Sequence, residues 1–155
     1  MRYRVCKVFE VESGHMLSKH PSRCRFPHGH SRRIEVVLSA AELDANDMVC
    51  DFKALRLAIE AFIDEFDHAM ALNSDDPALP RLREQEGARL VVYEHTDPTT
   101  EVMARHIYEE LQARIASGAT YRDAEGNAYT LPPHLQVERV RVGETSSSWA
   151  EYGVD

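Results

Sequence analysis

The residues able to do chemistry gather near the start of the chain. His28-Gly29-His30 places two imidazoles two positions apart, where a segment of two-residue period begins. On extended backbone such positions point to one side, and the glycine between them adds no side chain to crowd them. His15 ends the preceding period-two segment and supplies a third nitrogen if the two segments pair. Three neutral imidazoles at about 2.0–2.1 Å suit a zinc ion and leave a fourth tetrahedral position for water or substrate. The alternative is three unrelated histidines in a polar loop, and the nearness of Cys24, four residues before His28, weighs against it. Cys24 reads in two ways. It can close a structural site as fourth ligand, or it can act as a base, since nearby positive charge favours the thiolate.

Two further groups lie downstream. Asp67-His68 sets a carboxylate beside an imidazole, a pair suited to proton transfer near neutral pH; a histidine complementing a helix C-terminus explains the same dipeptide. Glu144, in Gly143-Glu144-Thr145, is either surface filler or a carboxylate for two adjacent N–H donors of a planar heterocycle. Cys6 and Cys50 sit in apolar strand-like surroundings and read as small buried hydrophobes. Arg23, Arg25, Arg32 and Arg33 form the densest basic patch, fitting a small anion or a solvated surface equally.

The elements that must position these groups have distinct periods. Val5, Lys7, Phe9 and Val11 alternate with Cys6, Val8, Glu10 and Glu12, and Ile34, Val36 and Leu38 alternate with Arg33, Glu35 and Ser39 between Ser31 and Ala41. The connection between these strands, residues 14–32 at its widest, is long for a hairpin, and long structured loops tend to be functional. Asp51 is the expected N-cap of a helix carrying Phe52, Leu55, Ile59, Phe62, Ile63 and Phe66 and stopping near Asp67-His68. A short strand is expected at Leu90 to Tyr93. A second helix opens at Asp97-Pro98, a cap followed by proline in the first turn, and buries Met103, Ile107 and Leu111. Residues 117–134 read as a surface hairpin flanked by Tyr121 and Tyr129. A last strand runs from about Leu135 to Val142 with apolar residues on both faces. The order strand, strand, helix, helix, strand predicts an α+β fold, a mostly antiparallel sheet with two helices on one face, in one domain over residues 1–155.

Bulk properties narrow the function classes. The chain has 155 residues, 43% hydrophobic and 28% charged, as expected of a globular protein. No apolar run approaches the roughly 18 residues of a membrane span, and the N-terminus lacks a signal-peptide core, so a cytoplasmic location is expected. A net charge of −8 without a long basic cluster argues against nucleic acid. Three cysteines in a reducing compartment argue against a disulfide framework.

Taken together, the motifs resemble the 6-pyruvoyltetrahydropterin synthase and 6-carboxytetrahydropterin synthase family. The matching pieces are Phe9 with His15, Cys24 with His28-Gly29-His30, Val49-Cys50-Asp51-Phe52, Phe66-Asp67-His68, Leu72-Asn73, Pro98-Thr99-Thr100-Glu101 and Gly143-Glu144-Thr145, in family order along nearly the whole chain. Residues 74–97 and 117–134 do not align. The resemblance implies a tunnelling fold, assembled as a ring-shaped homo-oligomer, usually a hexamer of two stacked trimers, with sites between subunits. It implies zinc on His15, His28 and His30, Cys24 as proton-abstracting base, Asp67 and His68 as relay, and Glu144 as anchor for a pterin ring, with Thr99 and Thr100 near the same pocket. The three-residue spacer between Cys24 and His28 resembles the bacterial 6-carboxytetrahydropterin synthases of queuosine biosynthesis. Those convert 7,8-dihydroneopterin triphosphate to 6-carboxy-5,6,7,8-tetrahydropterin, acetaldehyde and triphosphate. The alternatives are pyruvoyl-forming or dihydroneopterin-cleaving activity, a non-catalytic pterin-binding protein, and a structural zinc module with Cys24 as fourth ligand. Where family members often carry an aromatic residue after His-Gly-His, this chain has Ser31-Arg32-Arg33, and Val102 replaces the usual Asn after Pro-Thr-x-Glu.

Overall fold

Alternating patterns produce two long strands, β1 (Tyr3–His15) and β2 (His28–Ala40), which pair antiparallel from Tyr3↔Ala40 to His15↔His28. The computed structural model describes residues 1–155. Both strands run further than the alternation suggests, so the connection shrinks to residues 16–27 and the three histidines stand on strands rather than in a loop. Phe9, Val11, Ile34, Val36 and Leu38 turn inward. Cys6 is exposed on the opposite face, contrary to its reading as a buried hydrophobe, whereas Cys50 is buried. The strand period places Cys6 with Glu10 and Glu12, away from the core.

α1 (Phe52–Asp64) starts at Asp51, whose side chain accepts from Lys53 N. It buries Leu55, Ile59, Phe62 and Ile63, while Phe52, on its first turn, is exposed. Helical hydrogen bonding stops at Asp64, and a tight turn carries the chain to Asp67-His68. Two strands follow, β3 (Met70–Asn73) and β4 (Leu90–Tyr93), joined across the short α2 (Leu79–Arg83). β3 pairs parallel to the end of β1 and to β4. Four-residue strands carry too little pattern to show a parallel pairing in sequence, and only β4 is legible there.

α3 (Thr100–Ser117) buries Met103, Ile107 and Leu111 as expected. Its cap is Thr99, whose hydroxyl accepts from Val102 N, rather than Asp97. The Asp97 carboxylate is taken by three other donors described below, and helical backbone begins only at Thr100. Gly118 closes the helix at φ 61°, in the left-handed region that favours glycine. The expected hairpin is β5 (Thr120–Arg122) with β6 (Ala128–Thr130), centred on Tyr121↔Tyr129.

β7 (Gln136–Thr145) and β8 (Ser148–Gly153) complete a six-stranded sheet in the order β4-β3-β1-β2-β7-β8. The apolar residues of β7 lie on one face, not two. Leu38 faces Val137 while Val37 faces Arg139, so Glu138 is an extra residue in the pairing, and this bulge returns Val137, Val140 and Val142 to the same side. α1 and α3 cover that side, and one core of 26 buried residues lies between them and the sheet. No helix is long and apolar enough to cross a membrane.

Candidate functional site

The register of β1 and β2 brings the three histidines to one end of the sheet, with ring centroids 4.4–5.2 Å apart. One ring nitrogen from each lies within 4.8 Å of the others. His15 Nδ1 donates to Pro98 O and His28 Nδ1 to Phe26 O, both at 2.8 Å. Because a carbonyl can only accept, these bonds set the tautomers and leave Nε2 of each ring free for a ligand bond. Nε2 of His15 and of His30 is buried without a hydrogen-bond partner. Buried nitrogens are rarely left so, and a cation shared by the three rings accounts for both. Burial pushes the His15 imidazole down to about 4, against the opposing bond to Pro98, so the ring is neutral at pH 7. Burial lowers His30 as well, with the nearby Arg32 charge adding to it. The residues therefore fit a divalent transition metal. At Gly29 a Cβ would lie 3.0 Å from Ser13 O, so glycine between the histidines lets the strands approach.

Cys24 sits in a 3₁₀ turn over Arg23–Arg25, its carbonyl accepting from Leu17 N. Its thiol is not among the nitrogens clustered within 4.8 Å. The loop bearing it is tied down by Asp97, which accepts from Ser18 Oγ at 2.7 Å, Lys19 N at 2.8 Å and the buried Asn73 Nδ2 at 3.0 Å. Burial alone would raise the Asp97 carboxyl, but these bonds outweigh it and hold it below the usual 3.8. One short segment, Asp97-Pro98, thus holds both His15 and the Cys24 loop.

Asp67 is not a helix-end residue with a free side chain. Oδ1 accepts from Glu12 N and Oδ2 from His68 Nδ1, both at 2.8 Å, while His68 N donates to Glu12 O. The backbone bond from Glu12, then the bond from His68, lower the Asp67 carboxyl. His68 adopts φ 52°, a cost for a non-glycine residue that persists where the surroundings impose it. Its exposed ring borders a cleft of about 500 Å³ shared with His28, Met16, Met70, Leu82 and Leu90. So the chain brings His68 to the same cleft as one of the clustered histidines.

Glu144 lies on the other flank. Oε1 is 3.8 Å from His30 Nε2, too far for a hydrogen bond, and Oε2 accepts from the Thr100 hydroxyl. Burial works to raise this carboxyl, but the Thr100 bond and the His30 and Arg32 charges keep it below its usual value. Thr100 is therefore in contact with Glu144, while Thr99 serves as the α3 cap. The basic patch does not form as one surface. Arg32 is buried with the histidines, Arg33 pairs with Glu35 on the opposite face, and Arg23 and Arg25 are on the 3₁₀ turn. The roles of Arg32, Ser13 and Asp97 carry no signal in the local sequence.

A family model described as 6-pyruvoyl tetrahydropterin synthase matches residues 4–154. The chain belongs to this family. Among curated relatives, a 6-carboxy-5,6,7,8-tetrahydropterin synthase of Aquifex aeolicus is 28% identical over 98% of both chains. One of Rickettsia conorii is 32% identical over 68% of this chain and 78% of its own. Among solved structures, an uncharacterised protein of Wolinella succinogenes superposes with a TM-score of 0.77 at 24% identity, covering 100% of this chain and 99% of its own. The 6-pyruvoyl tetrahydropterin synthase of Plasmodium vivax superposes with a TM-score of 0.68 at 15% identity and the same coverage. The fold is the tunnelling fold of this family.

Proposed function

We propose that the chain is a zinc-dependent 6-carboxy-5,6,7,8-tetrahydropterin synthase acting on 7,8-dihydroneopterin triphosphate, its single catalytic domain spanning residues 1–155. The observation that carries this is the pair of buried, unpartnered Nε2 atoms of His15 and His30 beside His28, with Glu144 3.8 Å away. Curated relatives named for the carboxy-forming reaction support the choice of product. His15, His28 and His30 hold the metal, which when bound supplies a Lewis acid for the oxygens of the substrate side chain. Glu144 binds the N–H edge of the pterin, with Thr99 and Thr100 at the same pocket. Cys24 removes a proton from the side chain, and His68, oriented by Asp67, moves a proton on the other side of the reacting carbons. Sites lie between subunits of a hexamer.

The test is incubation of the pure, zinc-loaded protein with 7,8-dihydroneopterin triphosphate and identification of products by mass spectrometry. A carboxytetrahydropterin with acetaldehyde and triphosphate is expected. A pyruvoyl or hydroxymethyl pterin would assign one of the related activities instead, and unchanged substrate would leave a pterin-binding protein.

A further inference from the structure

Arg32 is 2% exposed, yet it carries a charge that burial disfavours. It lies two residues beyond His30 on β2, on the same face. The register Ile34↔Val142, carried two residues further along each strand, sets it opposite Glu144. Its Nε donates to Ser13 Oγ at 2.8 Å and its Nη1 to Thr100 Oγ1 at 2.9 Å, with Gly143 O at 3.4 Å from the same nitrogen. Nη2 is 3.4 Å from His15 Nδ1, which already donates its proton to Pro98 O and cannot accept. The effective bonds of the guanidinium therefore run toward Ser13, Thr100 and the backbone beside Glu144.

The direction of the chain through Thr100 is set by chemistry. Arginine has no acceptor and an ionised carboxylate no donor, so the one Thr100 proton goes to Glu144 Oε2 while its oxygen accepts from Arg32. Such a chain polarises along its length, and it fixes one carboxylate oxygen while leaving Oε1 turned to the histidine cluster. We propose that Arg32 is a positioning residue for pterin recognition: through Thr100 it holds the Glu144 carboxylate in the orientation that receives the pterin N–H edge. This rests on the assignment of Glu144 as pterin anchor.

The test compares Arg32→Gln, Arg32→Lys, Thr100→Val and Glu144→Gln, each assayed for zinc per chain, for affinity toward neopterin by its fluorescence, and for KM and kcat. Arg32→Gln and Thr100→Val are expected to weaken neopterin binding at least about tenfold, with KM raised more than kcat is lowered and zinc per chain unchanged. Arg32→Lys, which keeps a cationic donor for Thr100 where the shorter Gln offers only a neutral amide, falls between wild type and Arg32→Gln. The Arg32→Gln/Thr100→Val double variant binds no more weakly than the weaker single, because both break one chain. Wild-type neopterin affinity in Arg32→Gln overturns the proposal, as does loss of zinc in step with loss of the pterin. If Arg32→Gln does not fold, Arg32→Lys decides, since it keeps the charge but cannot bond Ser13 and Thr100 in the same planar fork, and wild-type neopterin affinity there overturns the proposal. Wild-type affinity in Glu144→Gln sinks the anchor assignment itself. Weakened binding there, with Arg32→Gln and Thr100→Val unaffected, sinks only the role of Arg32.

Discussion

At the scale of residues, the candidate site separates a cluster of three histidines from the groups around it, and substitutions can tell them apart. Changing His28 or His30 to alanine removes one of the three proposed zinc ligands. Zinc should fall from about one per chain, with affinity reduced at least about tenfold, a loss that even outer-sphere changes reach; plasma emission on dialysed protein reads this directly, and full metal in both variants would refute the ligand set. Cys24 stands outside the nitrogen cluster. Cys24→Ala should therefore keep its zinc and its Tm while turnover falls by about 10²–10⁴. Zinc loss with a lowered Tm would instead make Cys24 a structural ligand, because such zinc contributes folding free energy. The histidines are legible in sequence because i and i+2 share one side of a strand. The same period puts Arg32 on their face, but its bonds to Ser13 and Thr100 come from partners 19 and 68 residues away, which no local pattern shows.

At the scale of elements, the segment Asp97-Pro98 ties β1, the Cys24 loop, β3 and α3 together. Asp97→Ala would strand the buried Asn73 amide and release Ser18 and Lys19. One unsatisfied buried donor costs about 1–3 kcal/mol, enough to lower Tm by several degrees in a chain of this length. The pH dependence has a definite sign. The folded-state carboxyl lies below 3.8, so its stabilisation is present above that value and is lost as pH falls through the lower folded value. Thermal melts from pH 6 down to pH 3 should show a steeper loss of Tm below about pH 4 in wild type than in Asp97→Asn, which cannot titrate. Parallel curves would show that Asp97 contributes no proton linkage. The sequence pattern Asp-Pro reads as a helix cap, and local chemistry permits that reading. The donors that claim the carboxylate come from positions 18, 19 and 73, which no local pattern connects to it.

At the scale of the whole molecule, the sheet ends on strands with unused hydrogen-bonding edges. β8 has no neighbour on its outer side, and β3 pairs with β1 only at Gly14 and His15, leaving most of that edge of β1 open. Long open edges invite further pairing, and closing the sheet into a ring removes them. Size-exclusion chromatography with light scattering should give a multiple of three chains, most plainly a hexamer. A clean monomer at micromolar concentration would remove both the ring and a site between subunits.

The sequence by itself determined the long strands, both major helices, the Asp51 cap, the Tyr121–Tyr129 hairpin and the residue types of the site, because periodicity and capping are short-range and written in adjacent positions. It also carried the family, since the motifs occur in family order along nearly the whole chain, and the family model matches residues 4–154. Tertiary structure decided the rest. It set the parallel pairing of β3 and β4, and the bulge at Glu138 that puts the valines of β7 on one face. It gave the Asp97 carboxylate to Ser18, Lys19 and Asn73 rather than to the α3 N-terminus, and it buried Arg32 beside Thr100 while leaving Cys6 exposed. Each of these depends on partners tens of residues away, and a choice between two locally acceptable states is made by whichever distant donor, acceptor or apolar face the fold brings alongside.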